Sequence, residues 1–108
     1  MSTIQNSVQL IGRLGDAPEE VKLDSNKKLT NFSLATNLRF KNKDGETVEN
    51  TQWHRIVAWD KLAEICIEHL KKGSHVACRG RLVYRDYETK SGEKRHTAEV
   101  HLDDMHML

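Results

Sequence analysis

Residues 51–82 read TQWHRIVAWDKLAEICIEHLKKGSHVACRGRL, and the first part of this stretch has the alternation of a β-strand. Successive side chains of a strand point to opposite faces, so Trp53, Arg55 and Trp59 share one face of residues 53–59. Two indoles and a guanidinium on one face have two interpretations. They are either large residues packed against a core or a partner, or a platform on which flat bases stack while the guanidinium contacts phosphate.

A helix is predicted directly after this strand. Asp60 stands at the expected N-cap position, and apolar residues recur at helical spacing through residues 61–72. Gly73 follows at the position where a glycine commonly ends a helix. The chain then returns to alternation from residue 75 to about residue 87, which predicts another strand.

Length and composition indicate a single globular domain. The 108 residues are enough for one hydrophobic core, and 37% of them are apolar and 31% charged. No apolar run approaches the length of a membrane span, so we expect a cytoplasmic protein. Cys66 and Cys78 belong to no ligand cluster, which predicts buried free thiols. The net charge of +1 does not by itself indicate a polyanion partner, so such a function depends on where the charges lie.

The order of the predicted elements favours a small, mainly β barrel. Five strands are predicted, at residues 7–14, 29–40, 47–59, 75–87 and 95–102. Residues 19–23 are expected to be a short extended piece, residues 24–28 a polar turn, and Asp44-Gly45 the turn of a hairpin. Five strands with one α-helix between strands 3 and 4 describe an OB-fold barrel, whose closure removes exposed edges and whose strands 2 and 3 commonly bind oligonucleotides. On such a barrel the stacking interpretation of Trp53 and Trp59 becomes the stronger one.

Four stretches, in the same order along the chain, carry a family resemblance. They are VQLIGRLGDAPE at 8–19, FSLAT at 32–36, the 51–82 stretch, and YRDYETKSGEKRHTAEV at 84–100. Together they closely resemble bacterial single-stranded-DNA-binding proteins. The resemblance implies one OB-fold domain over residues 1–108 that assembles as a homotetramer. It also implies coating of single-stranded DNA, without strong sequence preference, during replication, recombination and repair, in the cytoplasm and associated with the nucleoid.

The resemblance also assigns roles to individual residues. Base stacking falls to four aromatic residues: Phe40, Trp53, Trp59 and Tyr87. Contacts to the phosphate backbone fall to four cations: Arg55, Lys61, Lys72 and Arg85. His54 matches a residue implicated in subunit contacts. The family often has tryptophan at the first and last of the aromatic positions and phenylalanine at the third, and this chain keeps an aromatic residue at each.

Other functions are less well supported by the sequence. Asp103 and Asp104 are neighbours on a strand and point to opposite faces, so they cannot easily share a metal ion. The sequence has neither a phosphate-binding glycine loop nor zinc-ligand spacing, and we expect no enzyme activity, no metal and no cofactor. The main rival is an OB-type subunit, or a replication-restart accessory protein, whose aromatic face binds a protein partner. Tyr84 falls on the core side of its strand and is predicted to pack.

Family members typically continue into a Gly/Pro/Gln-rich tail with an acidic tip that recruits replication and repair enzymes. The sequence ends at Leu108 without such a tail. We therefore expect DNA binding from these residues, and leave recruitment of replication and repair proteins open.

Overall fold

A computed structural model describes residues 4–23 and 27–108. It contains a 3-10 turn (Ile4–Asn6), strands β1 (Val8–Leu14), β2 (Glu19–Lys22), β3 (Lys28–Lys41), β4 (Thr47–Trp59), β5 (His75–Glu88) and β6 (Lys94–Met107), and helix α1 (Asp60–His69) between β4 and β5. All five predicted strands and the helix are present. The short extended piece expected at 19–23 forms β2, and the polar turn expected at 24–28 lies largely outside the described residues.

Five of the six strands close into a barrel. The sheet order is β1-β5-β6-β4-β3-β2, and an additional pairing of β1 with β3 closes the ring and leaves β2 attached to β3. The β4–β6 pairing is parallel, whereas the other pairings are antiparallel. Because β2 lies outside the ring, α1 follows the third barrel strand and precedes the fourth. This is the topology of an OB-fold, as the sequence predicts.

The core is formed by the inward residues of the barrel strands together with α1. Leu34, Ile56 and Val76 are completely buried. Ala63 and Cys66 of α1 belong to the same buried cluster. Burial of several large aliphatic side chains, each contributing roughly 1.5–3 kcal/mol, stabilises this arrangement.

The ends of α1 differ from the prediction. The helix begins at Asp60, Trp59 occupies the N-cap position, and no side chain caps it, so the predicted N-cap role of Asp60 is wrong. The helix ends at His69, before its predicted end, because the chain becomes extended at Leu70. Leu70 thereby inserts into the core. Gly73, with a φ of +85°, does not end the helix and lies instead in the turn that follows.

Two long hairpins extend the barrel. The β3–β4 register is unbroken from Leu29 opposite Trp59 to Lys41 opposite Thr47. The β5–β6 hairpin continues to Met107, further than predicted, with one bulge beside Gly80. Among the described residues no helix has the length and apolar character needed to cross a membrane.

Candidate nucleic-acid interface

The face of β4 that carries the two tryptophans lies outside the barrel. Ile56 and Ala58 are completely buried, whereas Trp53 and Arg55, at the alternate positions, are exposed. Val57, on the same face as Arg55, is only 2% exposed, so the strand alternation predicts burial at the other positions but not at this one.

Trp53 presents the largest aromatic surface of this face, with 61% of the residue exposed. Its cross-strand partner is the small residue Ala35. The benzene ring of the indole lies against Gly15 in the loop after β1, where an added Cβ would come within 2.4 Å of Trp53 Cζ3. Gly15 thus leaves space for the ring, and most of the indole remains accessible for stacking.

Trp59, at the other end of the same face, is half-buried. Its indole Nε1–H donates a hydrogen bond to His101 Nδ1 at 3.2 Å. The two rings lie 6.1 Å apart between centroids, at an interplanar angle of 42°. Trp59 is therefore held in place by a neighbour and offers less free surface than Trp53.

The β5–β6 hairpin brings Arg85 and Tyr87 to the same face. Cross-strand partners share a face of a sheet. Arg55 pairs with Glu99 of β6. From Glu99 towards the hairpin turn, β6 pairs with β5 without a register shift, so Arg85 and Tyr87 lie on the same face as Glu99 and Arg55. Tyr87 is exposed, like Trp53. The structure therefore gathers three predicted stacking residues, Trp53, Trp59 and Tyr87, and two predicted phosphate-binding residues on one surface.

Phe40 is exposed but lies apart from this group. Phe40 pairs with Val48, whereas Trp53 pairs with Ala35, roughly 17 Å back along the strand. Strand alternation also places Phe40 with Leu34, on the opposite side of the β3–β4 ribbon from Trp53. A nucleic-acid strand that reaches both residues has to follow the edge of this ribbon.

Arg55 and Arg85 converge on one buried carboxylate. Arg55 Nε donates to Glu99 Oε2 at 2.9 Å, and Arg85 Nη2 lies 3.3 Å from the same oxygen. The Glu99 side chain is only 5% exposed, while about half of each arginine side chain is accessible. The two arginines and Glu99 together therefore have a net charge of about +1 at the surface. A groove of about 380 Å³ opens beside it, lined by Arg55, Arg85, Asp86, Tyr87 and Thr97.

The sequence did not single out Glu99. Strand alternation places it on the opposite face of β6 from the buried Val100, and an acidic residue on that outer face is usually a solvated surface charge. Its burial depends on the arginines that two other strands bring to it, and pairing of that kind cannot be read from β6 alone.

The two lysines and the histidine of the predicted site lie elsewhere. Lys61 is exposed in the first turn of α1, and Lys72 is exposed in the turn after it. Within the described part of the chain neither forms an ion pair. His54 is half-buried on the core side of β4, and its Nε2 lies 2.9 Å from Thr36 Oγ1. The structure thus brings Arg55 and Arg85 together and leaves the lysines at separate positions.

Two further predictions about packing can be compared with the structure. Tyr84 is on the core side of β5, yet it is 73% exposed because the hairpin extends past the end of the barrel, so the prediction that it packs is wrong for the single chain. Cys66 and Cys78 are buried free thiols, as predicted. Burial raises the pKa of the Cys66 thiol to about 11 and that of Cys78 to about 12.

Among residues 4–23 and 27–108 no group of three or more acidic, histidine or cysteine side chains is placed to hold a metal ion.

Comparison with known proteins identifies the family. The model of the Single-strand binding protein family matches residues 5–108. The chain belongs to this family. It is 47% identical over 104 residues to single-stranded DNA-binding protein 1 of Chlorobaculum tepidum, a match that covers 95% of the chain and 64% of the relative. It is 41% identical over 103 residues to a single-stranded DNA-binding protein of Neisseria meningitidis, covering 95% of the chain and 59% of the relative.

A solved structure gives the same result for the fold. The structure described as "Plasmodium falciparum SSB complex with ssDNA" superposes with a TM-score of 0.88 and 31% sequence identity, covering 100% of this chain and 98% of that one. The OB-fold inferred from the strand order is thereby confirmed. This chain spans about three fifths of the length of the curated relatives that it matches.

Proposed function

We propose that the chain binds single-stranded DNA with little sequence preference and protects it during replication, recombination and repair, without catalysing a reaction. The observation that carries the proposal is the exposed indole of Trp53 on the same surface as Arg55, Arg85 and Tyr87. The names of the relatives and the DNA complex of the structural neighbour support it. Such a protein would work in the cytoplasm, associated with the nucleoid.

Stacking supplies the first part of the affinity. Bases stack on Trp53 and Tyr87 and on the accessible part of Trp59. A base also stacks on Phe40 where the DNA follows the β3–β4 ribbon. Each stacked base contributes roughly 1–3 kcal/mol. Every base has a flat π-face, so these contacts carry little sequence information. No metal or cofactor takes part in them.

Phosphate contacts supply the second part. Arg55 and Arg85 offer the N–H groups that Glu99 does not occupy, and Lys61 and Lys72 add exposed positive charge. For a single strand, each neutralised phosphate contributes about −0.7 to the slope of log affinity against log salt concentration. Four contacts would give a slope of about −2.8, and about −2.1 if Glu99 cancels one of the two arginine charges.

The test compares two alanine substitutions at exposed aromatic residues. Trp53→Ala should weaken binding to a fluorescein-labelled dT oligomer by roughly fivefold to 150-fold, the equivalent of one stacked base. Tyr84→Ala is the matched control, because Tyr84 is exposed to a similar degree but lies on the other side of its strand. Circular dichroism and urea unfolding check that both variants fold. Equal affinity of the Trp53 variant and the unmodified chain would remove Trp53 from the site.

The assembly proposed for this chain is a homotetramer in which His54 lies near a subunit contact. His54 is on the core side of β4 and is linked to Thr36, on the opposite side of the strand from Trp53. An interface there would leave the face of Trp53 open to DNA, and Phe40 would lie on the same side of the β3–β4 ribbon as the interface. Sedimentation that detects only a 12.4 kDa species at the DNA-binding concentration would rule out the tetramer.

A further inference from the structure

His101 connects a stacking residue to the two arginines. The indole N–H of Trp59 donates to Nδ1 of His101 at 3.2 Å, so Nδ1 must be the unprotonated nitrogen. The proton of the neutral ring is then on Nε2, which lies 3.3 Å from Glu99 Oε1. One orientation and one tautomer of the imidazole satisfy both neighbours. The His101 side chain is only 15% exposed, which favours this single arrangement.

Glu99 continues the same network. Its other oxygen, Oε2, accepts from Arg55 and lies within ion-pair distance of Arg85. Hydrogen bonds therefore run from Trp59 through His101 and Glu99 to Arg55, and an ion pair joins Glu99 to Arg85. The three residues that would meet DNA come from β4 and β5, and the two that join them lie two positions apart on β6.

We propose that His101 is a positioning residue for single-stranded DNA: it fixes the indole of Trp59 and, through Glu99, couples it to Arg55 and Arg85. This inference rests on the proposed function. A half-buried indole N–H needs an acceptor, and His101 Nδ1 supplies one at the edge of the ring. The indole is then already ordered before a base stacks on it, which lowers the entropic cost of binding.

The size of the effect follows from the single hydrogen bond. A neutral hydrogen bond in a protein has a net value that corresponds to roughly a twofold to tenfold change in an equilibrium constant. Loss of the acceptor should weaken DNA binding by that factor, and only while residue 59 carries an N–H group. Phenylalanine at position 59 has no such group and cannot be held by His101.

The test is a double-substitution cycle that measures affinity for a fluorescein-labelled dT oligomer by anisotropy. His101→Phe keeps a ring of similar size beside Trp59 but provides no acceptor. It should weaken binding roughly twofold to tenfold in the unmodified chain and have no further effect in a Trp59→Phe background. His101→Gln, whose amide accepts from the indole and donates to Glu99, should restore most of the affinity. His101→Leu provides a second acceptor-free variant if His101→Phe does not fold.

The outcomes separate this inference from the proposed function. Equal losses from His101→Phe in both backgrounds would mean that His101 acts on the fold and does not position Trp59. Normal affinity in every His101 variant would likewise overturn the inference while leaving DNA binding intact. Failure of the unmodified chain to bind the dT oligomer would overturn the proposed function, and the positioning role with it.

Discussion

Replacing Arg55 by glutamine tests whether this arginine serves the fold and DNA binding together. The substitution removes a charge-assisted hydrogen bond of 2.9 Å to Glu99. Such a bond to a charged group contributes roughly 1.5–3 kcal/mol. The loss should be smaller, about 1–2 kcal/mol, because the Arg55 side chain is 43% exposed and Arg85 still neutralises Glu99.

The same substitution should change the salt dependence of DNA binding. Without Arg55, the remaining charges of Arg85 and Glu99 cancel, and one phosphate contact is lost. The slope of log affinity against log salt should become shallower by about 0.7. The assay is a fluorescence titration with a dT oligomer at four or more salt concentrations, together with urea unfolding of the same variant.

Lys61→Gln is the matched control for this prediction. Lys61 is exposed and makes no ion pair within the described residues. Its substitution should make the salt slope shallower by the same amount, about 0.7, and leave the unfolding midpoint unchanged. If Arg55→Gln lowers stability but keeps the salt slope of the unmodified chain, Arg55 is a structural partner of Glu99 only, and the phosphate role is refuted.

Two further predictions concern the buried parts of the barrel. Cys66 and Cys78 should resist a thiol reagent at pH 8 in the folded protein, because burial removes access and raises their pKa values to about 11 and about 12. Both thiols should react after unfolding in urea. Fast labelling without urea would contradict their burial. Gly80→Ala should lower the free energy of unfolding by roughly 1–3 kcal/mol or more, since an added Cβ would lie 2.1 Å from a backbone carbonyl oxygen of β6. An unchanged urea midpoint for this variant would show that β6 shifts at little cost.

The fold could be predicted from the sequence because its signals are local. Strand alternation, the Asp44-Gly45 turn and one helical stretch are each readable within a few residues, and their order alone describes the barrel. The ends of α1 could not be predicted in this way. Leu70 leaves the helix to enter the core, and burial of a side chain against distant strands outweighs the helix-ending preference of Gly73.

The candidate site was predicted in part. The face shared by Trp53 and Arg55 follows from alternation along one strand. The buried position of Glu99 and the contact between Trp59 and His101 depend on the register between strands far apart in the sequence. The sequence supplies the chemistry of these residues, and their partners become visible only once the barrel is closed.

The central claim is most directly tested by the fluorescence of the two tryptophans during titration with a long dT oligomer at several salt concentrations. The account expects strong quenching, because bases stack on Trp53 and on the accessible part of Trp59, and it expects the affinity to fall as salt rises. Absence of both quenching and binding would contradict it. The exposed aromatic residues would then belong to a protein interface, for which little salt dependence is expected.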